Sequence, residues 1–342
     1  MTSNRLGSLD RLRGLAALTV VQYHVVQTLD FGSFTKSNSA VYFFERIILL
    51  PSKFGEAAVY LFMALSGYVL TLAFINQSKL KYGYWLFWRG IRLLPMYYAT
   101  LILGLLVELY LGAKRIDTQI YFNHKYFFSD ITIYSGPNPP LWSLTVEIIL
   151  SITFLILYKS SLAIKSRPWI YLLLYFLTYF IDNWGLRSLA RAVIFFCIGA
   201  ILQSIPPRIE FKRYQSVVVL TTFLSLGFID GEFMRRVETG LQIVAIPTVL
   251  ILVLKSKKGI MQTSKLLLFI GKISFSVYAV HWPVLLVMEK IDTHGFFDFP
   301  FNKVGLVLIT EGVVILVGAL LYFCLERPTQ ILARKALHSF GN

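Results

Sequence analysis

Apolar runs of about 18 to 20 residues recur along this chain, and a run that long fits few structures other than a membrane-spanning helix. Ten stretches read this way: 12–29, 54–75, 90–110, 141–158, 168–182, 187–205, 215–230, 237–254, 269–288 and 304–325. The fifth and seventh are the shortest. Only 15% of residues are charged, against roughly a quarter in soluble domains, and the mean hydropathy is +0.65. The expectation is an all-α, polytopic integral membrane bundle of about ten transmembrane helices. It forms a single membrane-embedded domain over 1–342, with no fused soluble domain. Gln22, Tyr23 and His24 interrupt the first run and no small-residue cleavage site follows them, so that run does not read as a cleavable signal peptide.

The net charge of +15 raises the question of nucleic acid. In so apolar a chain the basic residues are better explained by the bias of cytoplasmic loops toward lysine and arginine, so membrane lipids are the expected partners and nucleic acid is not. With the N-terminus inside, alternate connections hold most of the 33 lysines and arginines, and both termini are expected to be cytoplasmic. The longest connections, 30–53 and 111–140, then lie outside, where a bulky polar substrate could be held. The second contains His124 and ends in Gly136-Pro-Asn-Pro-Pro140, a helix-breaking run that sets the start of the fourth span. Cys197 and Cys324 fall inside apolar runs without metal-ligand spacing and read as packing residues, so no metal site is expected.

The first span carries an arginine and a histidine eleven residues apart. At 100° per residue that is three turns plus about 20°, so Arg13 and His24 share a face, separated by about 16 Å. Ionisable residues at membrane depth are costly and usually face the protein interior. Counted at about 1.5 Å per residue, His24, Ser66, Glu147 and His281 fall in one middle zone, on four different helices. Below them, Arg89 and Arg92 lie three residues apart on one helix face. With Arg13 they make a guanidinium cluster of the kind suited to phosphate. Plainer readings stand beside these. Each arginine alone reads as a positive-inside anchor, Asp10 as the cap of the first helix, His281 as a hydrogen-bonded core histidine, Trp142 as an interfacial belt residue, and Ser66-Gly67 as a packing pair. Glu108 and Glu311 sit in other spans without an assigned role. For His24 with Glu147 function is the favoured reading, because burying both needs a compensating gain.

Several motifs together resemble the membrane acyltransferase-3 family, which includes bacterial O-antigen and exopolysaccharide O-acetyltransferases. Arg13 and His24, with Asp10, resemble its Arg-x10-His signature. Phe62-Met-Ala-Leu-Ser-Gly-Tyr68 is similar to its Phe-x-x-Leu-Ser-Gly-aromatic element, Arg89-Gly-Ile-Arg-Leu-Leu-Pro95 to its Arg-x-x-Arg-x-x-Pro run, and Leu141-Trp-Ser-Leu-Thr-Val-Glu147 to its Trp-Ser-Leu-x-x-Glu. Ile273-Ser-Phe-Ser-Val-Tyr-Ala-Val-His-Trp-Pro283 and Glu326-Arg-Pro328 resemble its C-terminal elements. The resemblance implies a ten-helix enzyme of the bacterial inner membrane. It would take an acyl group, usually acetyl, from cytoplasmic acyl-CoA and pass it to a hydroxyl of a surface or lipid-linked glycan.

On this reading Arg13, Arg89 and Arg92 hold the phosphates of CoA. His24, with an ordinary pKa of about 6.5, acts as general base. Glu147 orients its imidazole, as the acid does in hydrolase triads. Asp10, Ser66, Trp142, Ser143 and His281 are expected to bind substrate or support the site. A covalent acyl-histidine or acyl-serine intermediate is the alternative chemistry. The competing class is a proton-coupled transporter or flippase of a glycan or acyl donor, with His24 and Glu147 on its proton path.

Overall fold

The computed structural model describes residues 3–28, 47–76, 82–111, 138–164, 169–181, 184–204, 245–250, 264–292 and 302–339. Among them all regular structure is helical. In chain order the helices are α1 (Ser3–Thr28), α2 (Gly55–Asn76), α3 (Tyr82–Tyr110), α4 (Trp142–Ile152), α5 (Phe154–Ile164), α6 (Trp169–Leu177), α7 (Trp184–Ser204), α8 (Lys265–Asp292), α9 (Asn302–Leu321) and α10 (Arg327–Ser339). Short 3-10 turns precede α2 and α4 and follow α6, and a π-helical turn, Tyr322–Glu326, joins α9 to α10.

Among the described residues, four helical stretches are long and apolar enough to cross a membrane: Ile47–Ile75, Leu86–Tyr110, Lys265–Ile291 and Val304–Ala333. A fifth arises if the bent pair α4–α5 counts as one span. The expected stretch 12–29 is helical, but Arg13, Gln22, His24 and Gln27 dilute its apolar surface. The stretch 168–182 is a short apolar helix, Trp169–Phe180, and 187–205 falls on α7. The stretch 215–230 lies outside the described residues, as does 237–254 except for 245–250.

The helices meet where side chains vanish. A Cβ at Gly14 of α1 would stand 2.7 Å from the Gly271 backbone nitrogen of α8, and one at Gly271 would strike the Asp10 carbonyl. Gly67 of α2 and Gly199 of α7 face the carbonyls of Phe196 and Ala64 in the same way. Small residues at a crossing let two backbones approach closely, the usual device where lipid removes the hydrophobic drive between helices. The Gly14–Gly271 crossing holds α1 close against α8, and further along the same two helices His24 and His281 meet. α8 is the central helix, 78% of its apolar window being buried, whereas α3 and α9 bury 22% and 28% and turn the rest outward.

Breaks in the helices have identifiable causes. The Ser151 hydroxyl donates to the Glu147 carbonyl at 2.7 Å and the Thr153 hydroxyl to that of Ile149 at 3.0 Å. Such back-bonding to the i−4 carbonyl bends helices, and α5 leaves α4 at 72°. In α8, Pro283 lacks the N–H that would serve the Ala279 carbonyl. Asn138 replaces it, its Nδ2 donating to Ala279 O at 2.8 Å. Asn138 and the turn Pro139–Leu141 therefore lead into α4, as the prolines suggest, and Asn138 also repairs α8.

Candidate functional site

The α1–α8 register brings two histidines together. His24 Nδ1 lies 3.2 Å from His281 Nε2, and the ring centroids are 5.0 Å apart. Each ring also faces a carbonyl of its own helix: His24 Nδ1 is 3.0 Å from Val20 O, and His281 Nδ1 is bonded to Tyr278 O. A carbonyl only accepts, so both Nδ1 atoms carry their protons. For two neutral rings, the His281 Nε2 lone pair then accepts from His24 Nδ1–H, which it shares with Val20 O. The lone pair left over is on His24 Nε2. His281 is fully buried, whereas His24 is half-buried, flanked edge-on by Trp282 and Tyr23.

Tyr278 supports this pair. Its hydroxyl donates to the Pro140 carbonyl at 2.8 Å and so accepts from Ser143 Oγ, 2.7 Å away. Ser143, expected to support the site, thereby ties the start of α4 to the turn of α8 that holds His281. Trp142, expected beside it, is the half-buried first residue of α4.

A second polar tier lies toward the Arg13 end. The Ser66 hydroxyl of α2 donates to Glu147 Oε1 at 2.6 Å, and Arg89 Nη2 of α3 donates to the same oxygen at 2.7 Å. Arg89 Nε donates to Ser151 Oγ at 3.0 Å. Arg92, one turn along α3, is exposed. The charges of Arg13, Arg89, Glu147 and Glu326 all act on it. Among the described residues neither Arg13 nor Arg92 has a carboxylate within ion-pairing distance. Glu326, on the π-helical turn, is buried and accepts from Ser276 of α8 and from Gln330 Nε2 at 2.7 Å. π-turns frequently occur at functional positions.

Two expectations change here. His24, Ser66, Glu147 and His281 do not share one level, and Glu147 does not touch His24. Gly55, at the start of α2, is pressed against Tyr23, the neighbour of His24. Ser66 stands eleven residues down α2, hence about 16 Å below that level, and Glu147 is bonded to Ser66. Counting residues from an assumed membrane edge placed each helix separately and missed their offset. Asp10 is not a helix cap either, because α1 begins at Ser3 and Asp10 lies in its interior against Gly271. Within this charged foot Arg11 is the buried arginine, its Nε donating to Ser264 O at 2.8 Å.

Sequence reasoning passed over Tyr278, Asn138 and Glu326 as members of the site. The first was discoverable, since it stands three residues before His281 and so faces the same way on a helix. Glu108 is buried in α3 and Glu311 half-buried in α9, and His124 lies outside the described residues.

Across residues 6–325 the chain matches the family model described as "Acyltransferase domain". No curated protein and no solved structure matches it.

Proposed function

The chain belongs to this acyltransferase family, whose model covers nearly its whole length, and we propose that it moves an acetyl group from cytoplasmic acetyl-CoA to a glycan hydroxyl. The setting is a multi-pass protein of the bacterial inner membrane, with about ten spans and both termini inside. The acceptor is a surface or lipid-linked saccharide entering from the His24 end.

The observation that carries this reading is the contact between His24 Nδ1 and His281 Nε2 at 3.2 Å. With both Nδ1 protons committed, His24 Nε2 is the lone pair in position to act as base. It takes the proton of the acceptor hydroxyl as that oxygen attacks the thioester carbonyl. The carbon–sulfur bond then breaks, and the departing sulfur recovers the proton from His24 Nε2–H. During the step the imidazolium keeps its Nδ1–H pointed at the neutral His281 Nε2. That lone pair supplies the orientation and charge stabilisation which a carboxylate gives in hydrolase triads.

The second tier suits the other end of the donor. Arg13 and Arg92 have no carboxylate within ion-pairing distance among the described residues, which leaves their guanidinium groups suited to phosphate. Arg13 lies about 16 Å below His24 along α1, a gap that the pantetheine arm of CoA spans.

The test is transfer by purified protein in lipid discs, given labelled acetyl-CoA and a glycan acceptor. Wild type is expected to label the glycan, and His24→Ala to lose about 100-fold or more of the rate. Glycan moved across the bilayer without label would instead support the transporter reading, and full transfer by His24→Ala would end the base assignment.

A further inference from the structure

Glu147 and Arg89 carry opposite charges and are bonded to each other, so each could serve either the donor phosphates or the histidine pair. We infer that Glu147 is a positioning residue which engages Arg89 as a strut between α2, α3 and α4, leaving donor phosphate to Arg13 and Arg92. The assignment of phosphate rests on the function proposed above; the strut does not.

The bonding pattern carries the inference. One Glu147 oxygen takes a hydroxyl proton from α2, through Ser66, and a guanidinium proton from α3, through Arg89. Arg89 spends a second donor, Nε, on Ser151 Oγ, and that hydroxyl in turn donates to the Glu147 carbonyl. The circuit therefore closes on the same turn of α4, directly before the 72° bend into α5. Both partners are largely enclosed, with 15% and 17% of their side chains exposed. An enclosed, doubly hydrogen-bonded pair has little field left for an incoming anion, since the charges of the two groups cancel. Three residues further on α3, Arg92 is open to solvent and unpaired among the described residues. Arg13 approaches it from α1. Two like charges that act on each other, neither ion-paired among the described residues, favour binding of an anion between them. The two arginines of Arg89-Gly-Ile-Arg92 thus take different tasks, one structural and one for ligand.

Glu147 also lies on a different tier from the base. It is anchored to Ser66, about 16 Å down α2 from Gly55, whereas His24 is beside the residue that Gly55 touches. Its hydrogen bonds run to Ser66 and Arg89, so its effect on the reaction passes through the placement of α2, α3 and α4.

The experiment combines a donor-free thermal cycle with kinetics, on full-length protein in lipid discs. Arg89→Ala, Glu147→Ala and the double variant are melted without ligand. The expected result is that the double variant melts no lower than the worse single one. Fully additive losses would overturn the strut, whatever the donor is. In kinetics, Glu147→Gln keeps an acceptor for Ser66 and Arg89, and it is expected to raise the donor KM severalfold while leaving the acid limb of the pH–rate profile in place. Arg92→Ala is expected to weaken binding of CoA itself about 10- to 100-fold and to flatten its salt dependence. A displaced acid limb in Glu147→Gln, or a kcat loss with donor KM unchanged, would return Glu147 to the side of His24. Arg89→Lys offers a milder probe should Arg89→Ala not fold, and it is expected to keep part of the thermal coupling. Wild-type protein that binds no CoA would remove the donor assignment, and the melting cycle would still decide the strut.

Discussion

The Gly14→Ala substitution reaches the histidine pair from ten residues away. The new methyl carbon stands 2.7 Å from Gly271 N and 3.1 Å from both Gly271 Cα and the Ile270 carbonyl carbon. Comfortable non-bonded contact begins near 3.5 Å, so α1 and α8 must part by about 0.8 Å at the crossing. Carried along two helices in register, that displacement opens the His24–His281 contact from 3.2 Å to about 4 Å, outside hydrogen-bond range. The bond itself contributes about 1 kcal/mol, and a misplacement of that size at a reacting group costs up to about 100-fold in rate. The expected result is a fall of about 10- to 100-fold in kcat for acetyl transfer in lipid discs. Donor KM should rise as well, because Arg13 adjoins Gly14 and moves with α1. Gly312→Ala serves as the control, since a Cβ there meets nothing within 4 Å, and its rate should equal wild type. A Gly14→Ala protein that melts and transfers like wild type would refute the claim that this crossing holds the two imidazoles together.

Further consequences follow from other contacts. His281→Ala removes the side-chain acceptor for His24 Nδ1–H, leaving only Val20 O, and should lower kcat at least tenfold, with donor KM unchanged; His281→Gln, which retains an acceptor, should recover part of it. A base must be neutral to work, so activity should be present on the alkaline side and lost as falling pH protonates His24 Nε2, with a single-proton slope in the pH–rate profile. Asn138→Ala leaves the Ala279 carbonyl unpaired beside Pro283, and a thermal melt should report about 1–3 kcal/mol of lost stability. Arg191 of α7 lies over the rings of Tyr175 and Tyr179, donates to Thr178 Oγ1 at 3.1 Å and pairs with the half-exposed Glu56. Arg191→Met should cost about 2 kcal/mol by the same assay, while Glu56→Gln, whose carboxylate is partly in solvent, should cost less than 1, on the order of a surface pair.

What could be read from the sequence divides along one physical line. Periodicity within a helix is local, so the apolar runs, the shared face of Arg13 and His24, and the spacing of Arg89 and Arg92 were all accessible from residue order. The offset of one helix against its neighbour is set by contacts the sequence does not order. Glu147 shows the consequence: its depth along a span can be counted, yet the packing of α4 beside α2 and α3 sets the carboxylate against Ser66 and Arg89 instead of an imidazole. His281 was recognisable as a buried ionisable group, but its meeting with His24 depends on Gly14 and Gly271 touching. Asp10 failed for a different reason. An acidic residue before an apolar run reads as a cap, whereas packing on α8 extends the helix back to Ser3 through polar residues. The bend after Ile152 had a local cause in Ser151 and Thr153, two residues able to bond back to their own helix, and the π-helical turn that buries Glu326 left no equivalent signal.

The most direct test of the whole account is the protonation pattern of the two rings, read from histidine nitrogen chemical shifts of 15N-labelled protein in lipid at neutral pH. The expected spectrum has protonated Nδ1 on both His24 and His281 and an unprotonated Nε2 on each, with coupling between His24 Nδ1 and His281 Nε2. Unprotonated Nδ1 on His24, with its proton on Nε2, would leave no lone pair facing the substrate and would contradict the assignment of this imidazole as the base.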